Sequence, residues 1–144
     1  MCTNRMRSHH TKTKGDLGVL KAQADLCKKG YLVCIPLSEH APFDLITYKN
    51  KEFKRVQVKA RALKNGKLDI RFDSSYSNRN GVHTTKIDFR EIDLYCVYCL
   101  DTDECHYFEA SRFKHRRTLS LRVKNPKNNQ QRNIRWASDY EEVP

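Results

Sequence analysis

Pro42-Phe43-Asp44, and Gln57-Val58-Lys59 thirteen residues after the aspartate, are the two motifs from which the fold can be predicted. The apolar and β-branched residues around both pieces predict two strands, at residues 43–48 and 55–60, joined by a tight turn at 49–51. In such a hairpin the aspartate and the lysine end close together at one edge of a sheet. Side chains two residues apart on a strand share a face, so Gln57 and Lys59 point together, while Val56 and Val58 point into the core.

These residue types suit the hydrolysis of a phosphodiester. Asp44 and a neighbouring backbone carbonyl supply the oxygen ligands that a hard cation such as Mg²⁺ prefers. The cation polarises the phosphate and lowers the pKa of a bound water. Lys59 can orient that water and offset the charge of the transition state, and Gln57 can hold the water in place. The alternative interpretation is that Asp44 and Lys59 form a cross-strand ion pair at the surface.

The rest of the chain predicts one helix and several further strands. The helix has an N-cap at Thr13 and ends before Gly30. Further strands are predicted at residues 31–36, 67–72, 92–100, 105–109 and 119–123, and a polar loop at 74–85. The predicted fold class is therefore α/β, with a mixed sheet flanked by few helices. Apolar residues at helical spacing predict two neighbouring buried stripes on the helix, one of Leu17, Leu20, Ala24 and Cys27 and one of Val19, Ala22 and Leu26.

The balance of charge indicates a polyanionic partner. The chain has 28 Lys and Arg against 17 Asp and Glu, for a formal net charge of +11. Residues 110–138 contain nine Lys or Arg and no acid, whereas residues 88–109 contain seven acids and one Arg, which indicates one basic face. A solvated basic tail is the alternative. No apolar run approaches the roughly 20 residues that cross a bilayer, and residues 1–14 lack the apolar region of a secretory signal. The expected location is therefore cytoplasmic, associated with the nucleoid through DNA.

Six cysteines raise the question of a metal site. Cys96, Cys99, Cys105 and His106 would be the ligands of a zinc-binding RNA module. Cys96 and Cys99 are separated by an odd number of positions on one predicted strand, so they point to opposite faces. We therefore expect free thiols and no zinc, as is usual for cysteines in a reducing compartment.

Several motifs together resemble the PD-(D/E)XK endonuclease family. They are Lys14-Gly15-Asp16-Leu17-Gly18 at the start of the helix, Gly30-Tyr31 after it, the two strand motifs, and the segment 128–137. The resemblance covers roughly residues 13–140 and is greatest to homing endonucleases encoded in cyanobacterial group I introns. It implies a restriction-endonuclease-like fold, Mg²⁺-dependent double-strand cleavage, and recognition of one long DNA site.

Carried over to this chain, the resemblance implies that Asp44 is the metal-binding carboxylate and Lys59 the catalytic lysine. Gln57 stands in the usual Asp/Glu position, and the carbonyl of Val58 is a further metal ligand. Relatives usually carry a helix glutamate five residues after the lysine that matches Lys14, whereas this chain has Val19 there. We expect this valine, natural or engineered, to weaken or abolish cleavage. The alternative is that another acid, such as Asp16, supplies the missing charge.

The resemblance and the charge pattern together predict an organisation and a set of DNA contacts. Residues 1–12 are expected to be an unstructured leader, 13–138 the nuclease domain with basic extensions, and 139–144 a tail. One active site must serve two strands, so a dimer or a dimer of dimers on double-stranded DNA is expected. Non-cleaving DNA binding and junction-resolving or repair cleavage are the alternative functions. The residues expected to contact DNA are Arg61, Arg71, Ser75, Tyr76, Ser77, Asn78, Arg79, His83, Arg116, Arg117, Arg122, Lys124, Lys127, Asn128, Arg132 and Arg135.

Overall fold

The structure is a computed structural model that describes residues 10–144, with the backbone alone at Ser74 and Tyr76. Its α-helix, α1, begins at His10, three residues before the predicted N-cap at Thr13. Residues 1–9 of the predicted leader lie outside the described part of the chain. The elements are α1 (His10–Lys28), β1 (Leu32–Cys34), β2 (Leu45–Lys49), β3 (Glu52–Arg61), β4 (Lys67–Arg71), β5 (Asp73–Asn78), β6 (Gly81–Lys86), β7 (Leu94–Cys99), β8 (Glu104–Glu109) and β9 (Thr118–Arg122), with short 3₁₀ helices at Ala110–Phe113 and Ala137–Tyr140.

A mixed five-stranded sheet forms the centre of the molecule, in the order β1-β2-β3-β7-β8. β1, β2 and β3 form an antiparallel meander, β7 lies parallel to β3, and β8 returns antiparallel to β7. Arg55 and Asp93 connect the parallel pair by a two-pronged ion pair, with Nε to Oδ2 at 2.9 Å and Nη2 to Oδ1 at 3.0 Å. The predicted mixed sheet and the predicted hairpin of residues 43–60 are confirmed.

The two faces of this sheet contribute to two separate cores. β7 is buried on both faces: Leu94, Cys96 and Tyr98 belong to the cluster beneath α1, which also contains Val56 and Val58. Tyr95, Val97 and Cys99 of the same strand belong to the second cluster, on the opposite face. Apolar residues of the β4–β9 ribbon cover that opposite face. The prediction that Cys96 and Cys99 point to opposite faces is therefore confirmed.

One of the two stripes predicted to be buried on α1 lies in solvent. Gly18, Ala22 and Leu26 face the sheet, and Val19 is partly buried beside them. The other predicted stripe, Leu17, Leu20, Ala24 and Cys27, is exposed, with Leu20 at 61%. The prediction was wrong because both stripes have helical spacing, and only the tertiary fold shows that a single sheet packs against one side of the helix.

Residues 74–85 are a β-hairpin, not the predicted loop. β5 and β6 pair antiparallel from Asp73↔Lys86 to Asn78↔Gly81 and form a two-stranded sheet of their own. β6 is exposed along its whole length, so the segment carries no hydrophobic alternation by which a strand could be recognised in the sequence. The hairpin therefore stands apart from both cores.

No helix in the part of the chain from residue 10 onward is long and apolar enough to cross a membrane.

Candidate active site and nucleic-acid interface

Asp44 is fixed at the point where β2 meets the middle of β3. The β2–β3 ladder ends at Leu45↔Val56, and the Asp44 amide donates to the Val56 carbonyl at 2.9 Å. The carboxylate then turns towards β3, where its Oδ2 accepts hydrogen bonds from Gln57 Nε2 and from the Val58 amide, both at 2.8 Å. The predicted juxtaposition of Asp44 with Gln57 and Val58 is present.

The same contacts indicate which atoms can bind a cation. The amide and carbonyl of one strand residue point to the same side of the strand, so the Val58 carbonyl lies on the side of Asp44, beyond the last ladder pair of β2. Gln57 donates through its nitrogen, which leaves its amide oxygen available. One carboxylate, one carbonyl and one amide oxygen suit a hard cation that keeps most of its water ligands, such as Mg²⁺. Within residues 10–144, no three His, Cys, Asp or Glu side chains gather closely enough to form a metal site on their own.

Lys59 lies half-buried beside this carboxylate. Burial lowers the pKa of Lys59, and the charge of Arg61 lowers it further, while Asp44 and Asp73 oppose the shift. Burial likewise raises the pKa of Asp44, against the Val58 hydrogen bond and the charge of Lys59. Two oppositely charged groups withdrawn from water differ from an exposed cross-strand ion pair, and perturbed pKa values of this kind cluster at functional sites.

A cleft of about 460 Å³ opens where the N-terminal end of α1 passes over β3. His10, Thr11, Lys14 and Gly15 form its helix side. Residues 58–62 of the chain, Lys59 among them, and Leu100 form the other side. The cleft therefore runs along the C-terminal half of β3, with Lys59 in its wall.

Val19, at the position of the usual helix glutamate, lies on the helix side of β3. It packs in the cluster beneath α1, on the face to which Val58 points. Gln57 and Lys59 alternate with Val56 and Val58 along β3 and so point to the opposite face. Asp16, the acid considered as a replacement, is exposed on α1 and does not line the cleft.

Asp73 is a second carboxylate near Lys59 that the sequence analysis missed. It begins β5 and accepts both arms of Arg71, from Nε at 3.1 Å and from Nη2 at 3.1 Å. The hydrogen bond from Arg71 lowers the pKa of Asp73, and the charge of Lys59 lowers it too. The sequence pattern that could have identified Asp73 is the alternation of Arg71, Phe72 and Asp73 at the end of a strand. When Phe72 points into the core, Arg71 and Asp73 both point to the opposite side.

Apart from Arg61, the predicted DNA-contacting residues fall into four groups. A cleft of about 650 Å³ gathers Arg71, Arg116 and Arg117 with further cations, above a floor that includes Phe72 and Phe89. A second cleft of about 290 Å³ joins Arg116 to Arg122 and Arg135. Four predicted residues line neither cleft and lie exposed on the segment after β9: Lys124, Lys127, Asn128 and Arg132.

The fourth group lies on the β5–β6 hairpin. Ser75, Ser77, Asn78, Arg79 and His83 are all exposed there, and only the backbone of Tyr76 is described. Asn78 Oδ1 accepts the amide of Asn80 at 2.9 Å and lies 3.1 Å from His83 Nε2, which orders the tip of the hairpin. Arg61 instead lies in the cleft that Lys59 lines, where its Nε donates to the carbonyl of Asp69 at 3.2 Å.

Comparison with known proteins agrees with this fold. A solved structure described as that of a bacterial homing endonuclease, I-Ssp6803I, superposes with a TM-score of 0.75 at 21% sequence identity, covering 91% of this chain and 88% of that one. The similarity at this level of identity concerns the fold. No curated protein matches the sequence. A sequence model of the PD-(D/E)XK endonuclease family matches residues 9–143, nearly the whole chain. Members of this family generally use divalent metal ions. The chain belongs to the PD-(D/E)XK endonuclease family.

Proposed function

We propose that this protein is a sequence-specific homing endonuclease that cuts both strands of DNA with Mg²⁺ as its cofactor. The observation that carries the proposal is the fixed Asp44 carboxylate, held by Gln57 and the Val58 amide beside the half-buried Lys59. The similarity of the fold to a bacterial homing endonuclease supports the biological role. Membership of the family implies endonuclease activity. The single specific DNA site and the use of Mg²⁺ are what we propose in addition.

Each polar residue of the site has a role in hydrolysis. Asp44, the Val58 carbonyl and the Gln57 amide oxygen would hold the cation, which lowers the pKa of a bound water and polarises the phosphate. The second lone pair of the Gln57 amide oxygen can accept a hydrogen bond from the attacking water, while the nitrogen stays bonded to Asp44. Lys59, whose pKa is lowered by burial, can accept the proton of that water at Nζ and in its charged form offsets the negative charge of the transition state.

The β5–β6 hairpin and the two basic clefts supply a surface for the duplex. A two-stranded ribbon fits the major groove, where Asn and Arg side chains read adenine and guanine. Asn78 and Arg79 at the exposed end of the hairpin are therefore the proposed base readers. The cations of the clefts, among them Arg116, Arg117 and Arg122, are proposed to contact phosphates and set the register. We also propose that the protein acts in the cytoplasm, on the nucleoid, as a homo-oligomer.

Val19 favours a second candidate function, a non-cleaving DNA-binding protein of the same fold. The packing of Val19 in the apolar cluster leaves the site without the helix carboxylate that relatives carry. A site in which Asp44 is the single carboxylate ligand would bind a cation weakly. Asp73 adds a further negative charge near Lys59. The unmodified protein is therefore expected to cut slowly. Val19→Glu has a longer side chain that can extend past the end of β2 towards Asp44, and is expected to raise the rate.

The test is cleavage of DNA that carries the intronless form of the gene in which this reading frame lies, with Mg²⁺. We expect one double-strand break, faster for Val19→Glu than for the unmodified chain. Lys59→Ala and Asp44→Asn should each lower the single-turnover rate at least about 100-fold, because general acid–base and charge-stabilising groups contribute factors of this size. Lys54→Ala is the matched control, since Lys54 lies on the same strand but bonds the Pro144 carbonyl.

The outcomes separate the candidate functions. Binding of the DNA without cleavage by any variant would establish the non-cleaving protein. Cleavage of branched DNA in preference to the linear site would indicate a junction-resolving or repair nuclease instead. Equal losses for Lys59→Ala and Lys54→Ala would remove Lys59 from the proposed mechanism.

A further inference from the structure

The exposed stripe on α1 has the spacing of a helix–helix seam. Leu17, Leu20, Ala24 and Cys27 are separated by three, four and three residues, the a and d positions of a heptad. At 3.6 residues per turn this stripe lies on the opposite side of the helix from Gly18, Ala22 and Leu26, which face the sheet. An apolar seam at this spacing on the outer side of a packed helix marks an interaction surface.

The residues beside the seam differ in charge from one flank to the other. Asp16 and Gln23 occupy one flank, at the g positions of the heptad. Lys14, Lys21 and Lys28 occupy the other flank, at the e positions. Charges at e and g positions decide the partner and the orientation of paired helices. The charges of this helix can therefore be tested for complementarity with a second copy of itself.

The flanking charges favour only the parallel orientation when two copies of α1 pair. In an antiparallel pair each flank meets the same flank of the other helix, so the three lysines would face three lysines. In a parallel pair about a two-fold axis each flank meets the opposite flank, so Asp16 of one copy lies beside Lys21 of the other and Gln23 beside Lys28. Lys21 already contacts Asp103 of its own chain, Nζ to Oδ1 at 2.7 Å, and an Asp16 carboxylate would complete a network around it.

The parallel arrangement also positions the active sites appropriately, a step that rests on the proposed nuclease function. The N-terminal end of α1 forms one side of the cleft over Lys59. A two-fold axis parallel to α1 therefore places both clefts at the same end of the dimer, where one duplex can reach both. Small side chains at Ala24 and Cys27 let the two helices approach closely along the C-terminal half of the seam.

We propose that α1 packs in parallel against α1 of a second copy of this chain, through the seam formed by Leu17, Leu20, Ala24 and Cys27. Each seam residue contacts its own counterpart across the axis, as an isologous interface requires. The partner is thus a second copy of this protein, and the interface makes the outer face of α1 a buried layer between two sheets.

Sedimentation equilibrium of the purified protein without DNA tests the interface. The unmodified chain is expected to be at least dimeric, and Leu20→Glu should raise the dissociation constant at least tenfold by placing two carboxylates at the seam. Leu37→Glu is the matched control, because Leu37 is an exposed leucine outside α1 and should leave the dimer intact. A monomeric unmodified chain, or equal effects of the two substitutions, would overturn the proposal.

Oxidative crosslinking tests the orientation. In a Cys2→Ser and Cys34→Ser background, copper phenanthroline in air should join Cys27 of the two copies in a disulfide, and Cys27→Ser should abolish the product. Adding Leu17→Cys to the Cys27→Ser protein should restore a crosslinked dimer in the parallel arrangement. In an antiparallel one, the thiol introduced at position 17 would face the serine hydroxyl introduced at position 27, so no crosslink would form. These results do not depend on cleavage, so a dimer without nuclease activity would preserve the interface and remove only the proposed enzyme function.

Discussion

At the scale of single residues, Gln57 is the most informative side chain of the site. Its nitrogen donates to Asp44 Oδ2 at 2.8 Å, so the amide holds the carboxylate in place without adding a charge. An acid at this position, as is usual in the family, would face the Asp44 carboxylate directly and would depend on a cation to offset the repulsion. The amide therefore allows Asp44 to stay ordered before any metal binds.

Gln57→Glu should make the stability of the protein depend on Mg²⁺. In EDTA the two carboxylates repel and the hydrogen bond to Asp44 is lost, which should cost about 1–3 kcal/mol of unfolding free energy. Millimolar Mg²⁺ should recover that loss by binding both acids, measured as the midpoint of thermal unfolding. Gln57→Met loses the same hydrogen bond without adding a charge and should respond to Mg²⁺ much less than Gln57→Glu. An identical response of the two variants would contradict a cation site at Asp44.

At the scale of elements, the packing of α1 on β3 determines the shape of the cleft that Lys59 lines. Gly18 lies against this strand so closely that a Cβ added to it would be 3.0 Å from the Ala60 Cβ and 3.5 Å from Val58 Cγ1. Gly15, one turn earlier, has nothing within 4 Å of such an atom. Gly18 is therefore needed for the close approach of the helix to the strand, whereas the surroundings of Gly15 leave room for a side chain.

The glycine pair gives opposite expectations for the same substitution. Gly15→Ala should raise the free energy of unfolding by about 1 kcal/mol, the difference in helix propensity between alanine and glycine. Gly18→Ala should lower it by about 1 kcal/mol, because overpacking against Ala60 costs about 1–3 kcal/mol and exceeds the gain in propensity. Urea denaturation measures both. Equal stabilisation by the two changes would show that α1 does not approach β3 as closely as described.

At the scale of the whole molecule, the burial of one histidine in the packed interior is expected to make stability depend on pH. His106 lies on β8, only 1% exposed, in contact with the final 3₁₀ helix, Ala137–Tyr140. Burial lowers the pKa of His106 below its usual value, since a charged imidazole loses its hydration there. The folded chain thus binds a proton at this site less readily than the unfolded chain does.

The protein should therefore lose stability as the solution is acidified through the titration of His106. The contribution is fully present above the unfolded pKa of about 6.5 and is lost as the pH falls below it, because the unfolded state takes up the proton first. His106→Leu should remove this contribution, so the difference in unfolding free energy between the two proteins should be constant above pH 7 and should change below about pH 6.5. A constant difference down to pH 5 would contradict a neutral, buried histidine.

Local periodicity in the sequence was enough to predict the hairpin and the mixed sheet, whereas the Val58 carbonyl beside Asp44 was implied by the family resemblance. On a strand with one buried side, the alternation of Val56 and Val58 with Gln57 and Lys59 allows only one orientation. The valines point into the core, and Gln57 and Lys59 point away from it. The same parity argument separated Cys96 from Cys99. These features could be predicted because backbone geometry alone fixes which side chains of a strand share a face.

Which surfaces became interior was settled by the packing of distant elements instead. That packing exposed the Leu20 stripe and formed the hairpin at 73–86 without an apolar face. It also brought Asp73 near Lys59 across fourteen residues of sequence. Periodicity states which side chains share a face, but what covers that face depends on how elements far apart in the chain meet, and a single sequence does not contain that information locally.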